Sequence, residues 1–195
     1  RGYEITTYRT DGKYTDSRHP DSVKFVGSIY EDLARRDFTM NAIAYNDDDG
    51  LIDPFNGLKD IENKIIRCVG TPVDRFTEDP LRIMRAVRFA AQLGFHIENY
   101  TNIAMVQTND GLSKISAERI QSELCKILIS DHPEYVLDYY IDISPAIPEL
   151  SKMMGCSQNN MYHIYDVWNH TRFALTACRI HELETRLAIL LHDIG

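Results

Sequence analysis

Arg82, Arg85 and Arg88 recur every third residue along Thr77-Glu78-Asp79-Pro80-Leu81-Arg82-Ile83-Met84-Arg85-Ala86-Val87-Arg88-Phe89-Ala90-Ala91. Asp79 is a good N-cap and Pro80 suits a first helical position, so the stretch predicts a helix. At about 100° per residue the three arginines fan over roughly 120°, and Ile83, Met84, Ala86, Val87, Ala90 and Ala91 fill the other arc. Guanidinium groups one turn apart repel each other. Something anionic must lie opposite them, either carboxylates or phosphates. A second basic group, Arg35-Arg36-Asp37, stands just before Thr39, itself a candidate cap for a helix carrying Met40, Ile43 and Ala44. Anions are favoured at such an N-terminus, though an Arg–Asp pair can also simply fix the turn.

The elements that must position these residues change character along the chain. Residues 3–9 and 23–26 read as strands, with a polar loop over 12–22 between them. Ser28 caps a short helix through Leu33 or Ala34. Asp47-Asp48-Asp49-Gly50 is a hairpin-type loop, and an acidic run before a turn glycine is usually a solvated turn. A short helix over 58–63 and a strand over Ile65–Val69 follow. Beyond Gly70-Thr71-Pro72 the pattern is helical, at 79–93, 98–108, 116–129, 132–141, 146–154, 166–180 and 183–191. Ser116 caps the third of these, and Asp131-His132-Pro133-Glu134 resembles a capping box for the fourth. The division is therefore 1–70 mixed α and β, 71–143 helical and 144–195 helical, an α+β chain.

With 44% hydrophobic and 26% charged residues the chain has the composition of a soluble globular protein. No apolar run reaches the roughly 18 residues of a membrane span. Cys68, Cys125, Cys156 and Cys178 form neither a metal-type pair nor a dense disulfide framework, which points to a reducing cytoplasm. The net charge of −8 excludes a surface that attracts nucleic acid everywhere, so such binding needs a local basic patch. Neither composition nor motif indicates an oligomeric state.

RRDFTMNAIAYN at 35–46, LIDPFNGLKDI at 51–61 and RFTEDPLRIMRAVRFAAQLGF at 75–95 together resemble the bacterial class II tRNA nucleotidyltransferases, the CCA-adding enzymes, with bacterial poly(A) polymerases as near relatives. LSKISAERIQSELCKIL at 112–128, YHIYDVWNHT at 162–171 and LLHDIG at 190–195 continue the resemblance. It implies part of a polymerase-β-like head, a helical neck, and template-independent addition of CCA to tRNA from CTP and ATP. It also implies roles. Arg36 meets nucleotide phosphate, Asp79 and Arg82 read the base, and Arg85 and Arg88 line the pocket. An aspartate acceptor beside an arginine donor suits the hydrogen-bonding edge of cytosine or adenine. The Asp79 carboxylate can cap the helix as well.

Members of that family also carry an upstream glycine-rich segment and an Asp-x-Asp pair that holds two Mg²⁺ ions. Neither is present, and Asp47-Asp48-Asp49 falls at the wrong place to replace the pair. The chain begins at Arg1 and stops at Gly195, so both ends look cut. It reads as a fragment that recognises nucleotide without transferring it, with an unfinished sheet edge in the head. At the far end, His170 and His192-Asp193 resemble an HD-type metal phosphohydrolase site with its last aspartate missing. Imidazole and carboxylate on adjacent helices can meet at one divalent metal ion, or can be satisfied by hydrogen bonds in a purely structural domain. Poly(A) polymerase and an HD-type phosphohydrolase are the alternative functions.

Overall fold

The computed structural model describes residues 7–12, 22–157 and 165–194. The expected strand at 3–9, the loop at 12–22 and the YHIYDVWNHT motif fall partly outside them. Two antiparallel hairpins open the chain. β1 (Arg9–Asp11) pairs with β2 (Val23–Phe25), and β3 (Ala44–Asn46) with β4 (Gly50–Ile52). α1 (Ile29–Ala34) lies between the hairpins. α2 (Gly57–Glu62) follows β4, with both Asp53 carboxylate oxygens accepting backbone N–H groups, from Gly57 at 2.7 Å and Leu58 at 3.0 Å. β5 (Ile65–Ile66) runs parallel to β6 (His96–Ile97). Among the described residues each ladder has two strands, so every strand keeps one edge without a partner strand.

Two early expectations change. Thr39 begins a 3-10 turn, Thr39–Asn41, and Ala44 enters β3 instead of a helix. Tertiary bonds override the local helical pattern: the Thr39 N–H donates to the Arg67 carbonyl at 2.9 Å and its hydroxyl to Asp60 at 2.7 Å. The strand expected over Ile65–Val69 splits. Ile65 and Ile66 join β6, while Arg67–Val69 turns to face 37–39, with the Val69 N–H bonded to the Asp37 carbonyl at 3.0 Å.

The helical part begins earlier than its apolar periodicity suggests. α3 (Pro72–Glu78) has Thr71 at the N-cap and proline in its first turn. α4 (Leu81–Leu93) starts after Pro80, which occupies the cap position and not the first helical one, and ends at left-handed Gly94. α5 (Asn99–Thr108) is capped by the Glu98 carboxylate, which accepts the Thr101 N–H at 2.9 Å. α6 (Ala117–Leu128) has Ser116 at its cap position without a side-chain cap bond. The helix expected over 132–141 is broken into α7 (Tyr135–Asp138) and α8 (Tyr140–Ile143), because Tyr139 at φ −102°, ψ 23° leaves the α region. No capping box forms there; Glu134 faces His132. Over 146–154 a 3-10 turn, Pro148–Met153, replaces the expected helix, since Pro148 holds Ile147 extended in φ. α9 (Val167–Ala177) and α10 (Leu183–Leu191) complete the chain.

One apolar cluster runs from Phe38, Ile66 and Phe76 through Ile83, Met84 and Val87 of α4 to Leu150, Leu175 and Leu190. Leu33, Ala42, Ile52 and Val69 form a smaller one in the hairpin region. No helix among the described residues is long and apolar enough to cross a membrane.

Asp142 is buried on α8 beside Asn102, whose amide donates to it at 2.9 Å. Burial pushes its carboxyl up from 3.8 to about 6. Between those values the folded chain holds a proton that the unfolded chain has shed, so stability falls as pH rises through this window and is level above it. Asp142→Asn removes this slope and raises stability at neutral pH by up to about 2–3 kcal/mol. Urea unfolding at pH 4, 5, 6 and 7 checks it: parallel pH profiles for wild type and Asp142→Asn would show that Asp142 is not the group.

Candidate functional site

A cleft of about 520 Å³ opens between the segment 35–41 and the start of α4, lined by Arg35, Arg36, Asp37, Asn41, Asp79, Leu81, Arg82, Arg85, Phe89 and Arg119. Two stretches far apart in sequence thus supply one strongly basic wall. Arg36 shares the cleft with Asp79, Arg82 and Arg85.

The basic side chains are held, not loose. Arg35 sits on Asp32 through Nε at 3.0 Å and Nη2 at 2.7 Å, and Arg36 reaches the other oxygen at 3.2 Å. Burial alone would raise the Asp32 pKa, but hydrogen bonds from Arg35 and the Arg9 N–H, with the arginine charge, hold it below the ordinary carboxylate value. Arg36 keeps 46% of its side chain exposed, so it is the arginine of this pair open to a ligand. On α4, Arg85 grips Asp37 through Nε at 2.8 Å and Nη2 at 2.5 Å. The other Asp37 oxygen accepts the Phe38 N–H and the Asn41 amide, so Asp37 is fully engaged. Arg82 is buried; its Nη1 donates to the Arg75 carbonyl and to Glu78 at 3.0 Å, and its Nη2 to the Arg35 carbonyl at 3.4 Å. Arg82 and Arg85 therefore stitch the helical part to the 35–37 segment while edging the cavity.

Asp79 lies in extended backbone between α3 and α4. Its Oδ1 accepts the Leu81 N–H at 3.1 Å, so the carboxylate does cap α4, from one residue farther out than expected. The same carboxylate meets Arg119 of α6 at 3.0 Å. Sequence reasoning did not single out Arg119. A signal was available: Arg119 stands in the first turn of α6, where a cation opposes the helix dipole and requires a carboxylate elsewhere. Gly111 supports the same corner, since a Cβ there would lie 2.6 Å from the Pro80 ring.

Arg88 departs from expectation. It is not among the residues lining the cleft. It turns to Glu123 of α6, Nε to Oε2 at 3.1 Å, and lies over the Phe89 ring at 4.2 Å. Burial lowers its pKa, and Glu123 opposes that shift. The third turn of α4 packs against α6, and this carries Arg88 away from the cavity. Asp47, Asp48 and Asp49 form the exposed β3–β4 turn, where Asn46 and Asp49 bond each other, and none of them lines the cleft.

At the other end of the chain, His170 of α9 and His192 and Asp193 after α10 place one ligand atom each within 4.8 Å of one another. His192 Nδ1 donates to the Ile189 carbonyl at 2.7 Å, while Nε2 lies 3.2 Å from an Asp193 carboxylate oxygen.

Residues 1–67 match the family described as "Poly A polymerase head domain", and residues 94–144 the family described as "Probable RNA and SrmB- binding site of polymerase A". A CCA-adding enzyme of Ligilactobacillus salivarius is 51% identical over 141 residues, 72% of this chain and 35% of that protein. The chain spans about a third of the length of the curated relatives it matches. Among solved structures, the Bacillus stearothermophilus CCA-adding enzyme in complex with CTP superposes with a TM-score of 0.74 at 36% identity, covering 100% of this chain and 45% of that one. A tRNA nucleotidyltransferase complexed with a primer tRNA and an incoming ATP analog gives 0.58 at 30% identity, covering 85% and 50%.

Proposed function

Because the chain belongs to the family of class II CCA-adding enzymes and poly(A) polymerase heads, we propose that its cleft is the nucleotide-recognition site of a template-independent tRNA nucleotidyltransferase that adds CCA from CTP and ATP. The observation that carries this is the meeting of Arg36 with Asp79, Arg82 and Arg85 in one cavity. Asp79 accepts the amino group of cytosine or adenine, and Arg82 donates to the neighbouring ring nitrogen. Arg36, with the Arg85 Nη1 not used on Asp37, answers the triphosphate. Arg119 fixes the orientation of Asp79, and Arg88 supports α4 through Glu123. The primer is the 3′ end of tRNA. Poly(A) polymerase is the competing reading for the same cleft, and CTP affinity separates them.

Equilibrium titration of the chain with each of the four nucleoside triphosphates tests the proposal. CTP and ATP bind, and UTP and GTP bind at least about tenfold more weakly. Equal affinity for all four, or binding of ATP alone, contradicts it.

Among the described residues, the carboxylates lining the cleft do not fit a pair of Mg²⁺ ions. Asp37 and Asp79 are both committed to arginines there. We therefore expect this 195-residue chain to bind nucleotide without incorporating CMP into tRNA. Mg²⁺-dependent incorporation by the purified chain would refute this.

A second reading concerns α9 and α10. His170, His192 and Asp193 bring one ligand atom each within 4.8 Å of one another, and with Nδ1 bonded to the Ile189 carbonyl the His192 Nε2 is the ring nitrogen left for a metal. Two imidazoles and a carboxylate suit a divalent ion of the zinc, iron or manganese type. Such an ion would supply Lewis acidity toward a phosphate ester, the chemistry of an HD-type phosphohydrolase. The three side chains of this chain would hold and orient it.

A further inference from the structure

Arg186 is the largest fully buried side chain of the described residues, 1% exposed, and no ion pair to it is found among them. Burying a guanidinium costs several kcal/mol unless its donors are satisfied. Here backbone carbonyls satisfy them. Nε donates to Ile180 at 2.7 Å, Nη1 to Leu128 at 2.6 Å and Ser130 at 2.5 Å, and Nη2 to Cys178 at 3.5 Å. Two of these carbonyls, those of Leu128 and Cys178, belong to helix ends. Leu128 and Ser130 flank the C-terminal end of α6, and Cys178 and Ile180 follow the C-terminal end of α9. Helix C-termini carry orphan carbonyls and partial negative charge, so one cation answers two helix ends together. The residue that does so stands on α10, less than two turns before His192.

We propose that Arg186 is a positioning residue for the His170, His192 and Asp193 constellation. Its planar fork ties α10 to the end of α9 on one side and to the end of α6 on the other. That fixes the separation of the two helices carrying the three ligand atoms. The inference rests on the metal reading of those side chains given above. A lysine would keep the charge but not the fork, because one ammonium cannot serve carbonyls on both edges of a plane.

The test is calorimetric titration of Mn²⁺ into the 195-residue chain as wild type, Arg186→Lys, Arg186→Gln and His192→Ala, with CTP titration and thermal unfolding run in parallel. Wild type binds Mn²⁺ and His192→Ala does not. Arg186→Lys and Arg186→Gln weaken Mn²⁺ binding about 10- to 100-fold while CTP affinity stays within about twofold. If wild type takes up no more Mn²⁺ than His192→Ala, the metal reading falls and this inference with it. If wild type binds Mn²⁺ and both Arg186 variants match it, the positioning role alone is overturned. Parallel loss of Mn²⁺ and CTP binding in both variants, with early melting, would make Arg186 a residue of global stability and also overturn the role.

Discussion

Asp79→Ala narrows the gap in affinity between CTP or ATP and UTP or GTP by about ten- to a hundredfold. Cytosine and adenine each present an amino donor beside a ring-nitrogen acceptor. Guanine and uracil place a carbonyl where that amino group would be, so the Asp79 carboxylate would meet an acceptor with an acceptor. A mismatched polar group in a site shielded from water costs about 1–3 kcal/mol, which sets the size of the effect. Alanine also removes the acceptor for the Leu81 N–H and the partner of Arg119, and losing a cap costs about 1 kcal/mol of stability. Asp79→Asn separates the two contributions. It keeps an oxygen for Leu81 and adds an amide donor that suits the carbonyl of guanine or uracil, so it shifts preference toward UTP and GTP. Titration of all four nucleotides into both variants reads this directly. A uniform drop for every nucleotide would leave Asp79 as a helix cap alone.

Gly57→Ala destabilises the chain by about 1–3 kcal/mol and weakens CTP binding as well. A Cβ at position 57 would lie 2.2 Å from the Thr39 carbonyl oxygen and 2.8 Å from its carbon. These are backbone atoms, pinned by the Thr39 bonds to Arg67 and Asp60, and have little freedom to retreat. The 3-10 turn must shift, and it carries Asn41, whose amide steadies the Asp37 oxygen opposite the Arg85 grip. For a chain of this size each kcal/mol lowers the melting temperature by roughly 2–4 °C. Gly27→Ala is the control, since a Cβ there meets nothing within 4 Å. A Gly57→Ala chain that melts with wild type would show that the 39–41 turn yields freely and does not hold the cleft wall.

The part of this site legible in the sequence is the part encoded locally. The period of Leu81–Leu93 and the Asp79-Pro80 start announce α4, and the apolar arc is the buried one. The requirement that anions face the arginines is met, by a different carboxylate in each case: Glu78 for Arg82, Asp37 for Arg85 and Glu123 for Arg88. Which arginine faces the cavity was not legible, because that depends on where α6 packs along α4, a contact without local signature. α3 escaped periodicity because Pro72–Glu78 buries only Phe76 among its side chains. The breaks at Tyr139 and before Pro148 follow backbone geometry that a run of apolar residues conceals, although Pro148 itself was a usable warning. Arg186 illustrates the same limit. Nothing in Leu183–Leu191 says that its one arginine points inward, since its partners are carbonyls at the ends of two other helices.

The most direct test of the central claim, that the 35–41 segment and the start of α4 together form the nucleotide site, is a CTP titration of the isotope-labelled chain followed by NMR of backbone amides and arginine Nε–H groups. CTP bound there gives saturable shifts at the Arg36, Arg82 and Arg85 side chains and at the Leu81 amide, with Arg186 and the ring signals of His170 and His192 unmoved. Shifts confined to α9 and α10, or none along the cleft at saturating CTP, would contradict the claim.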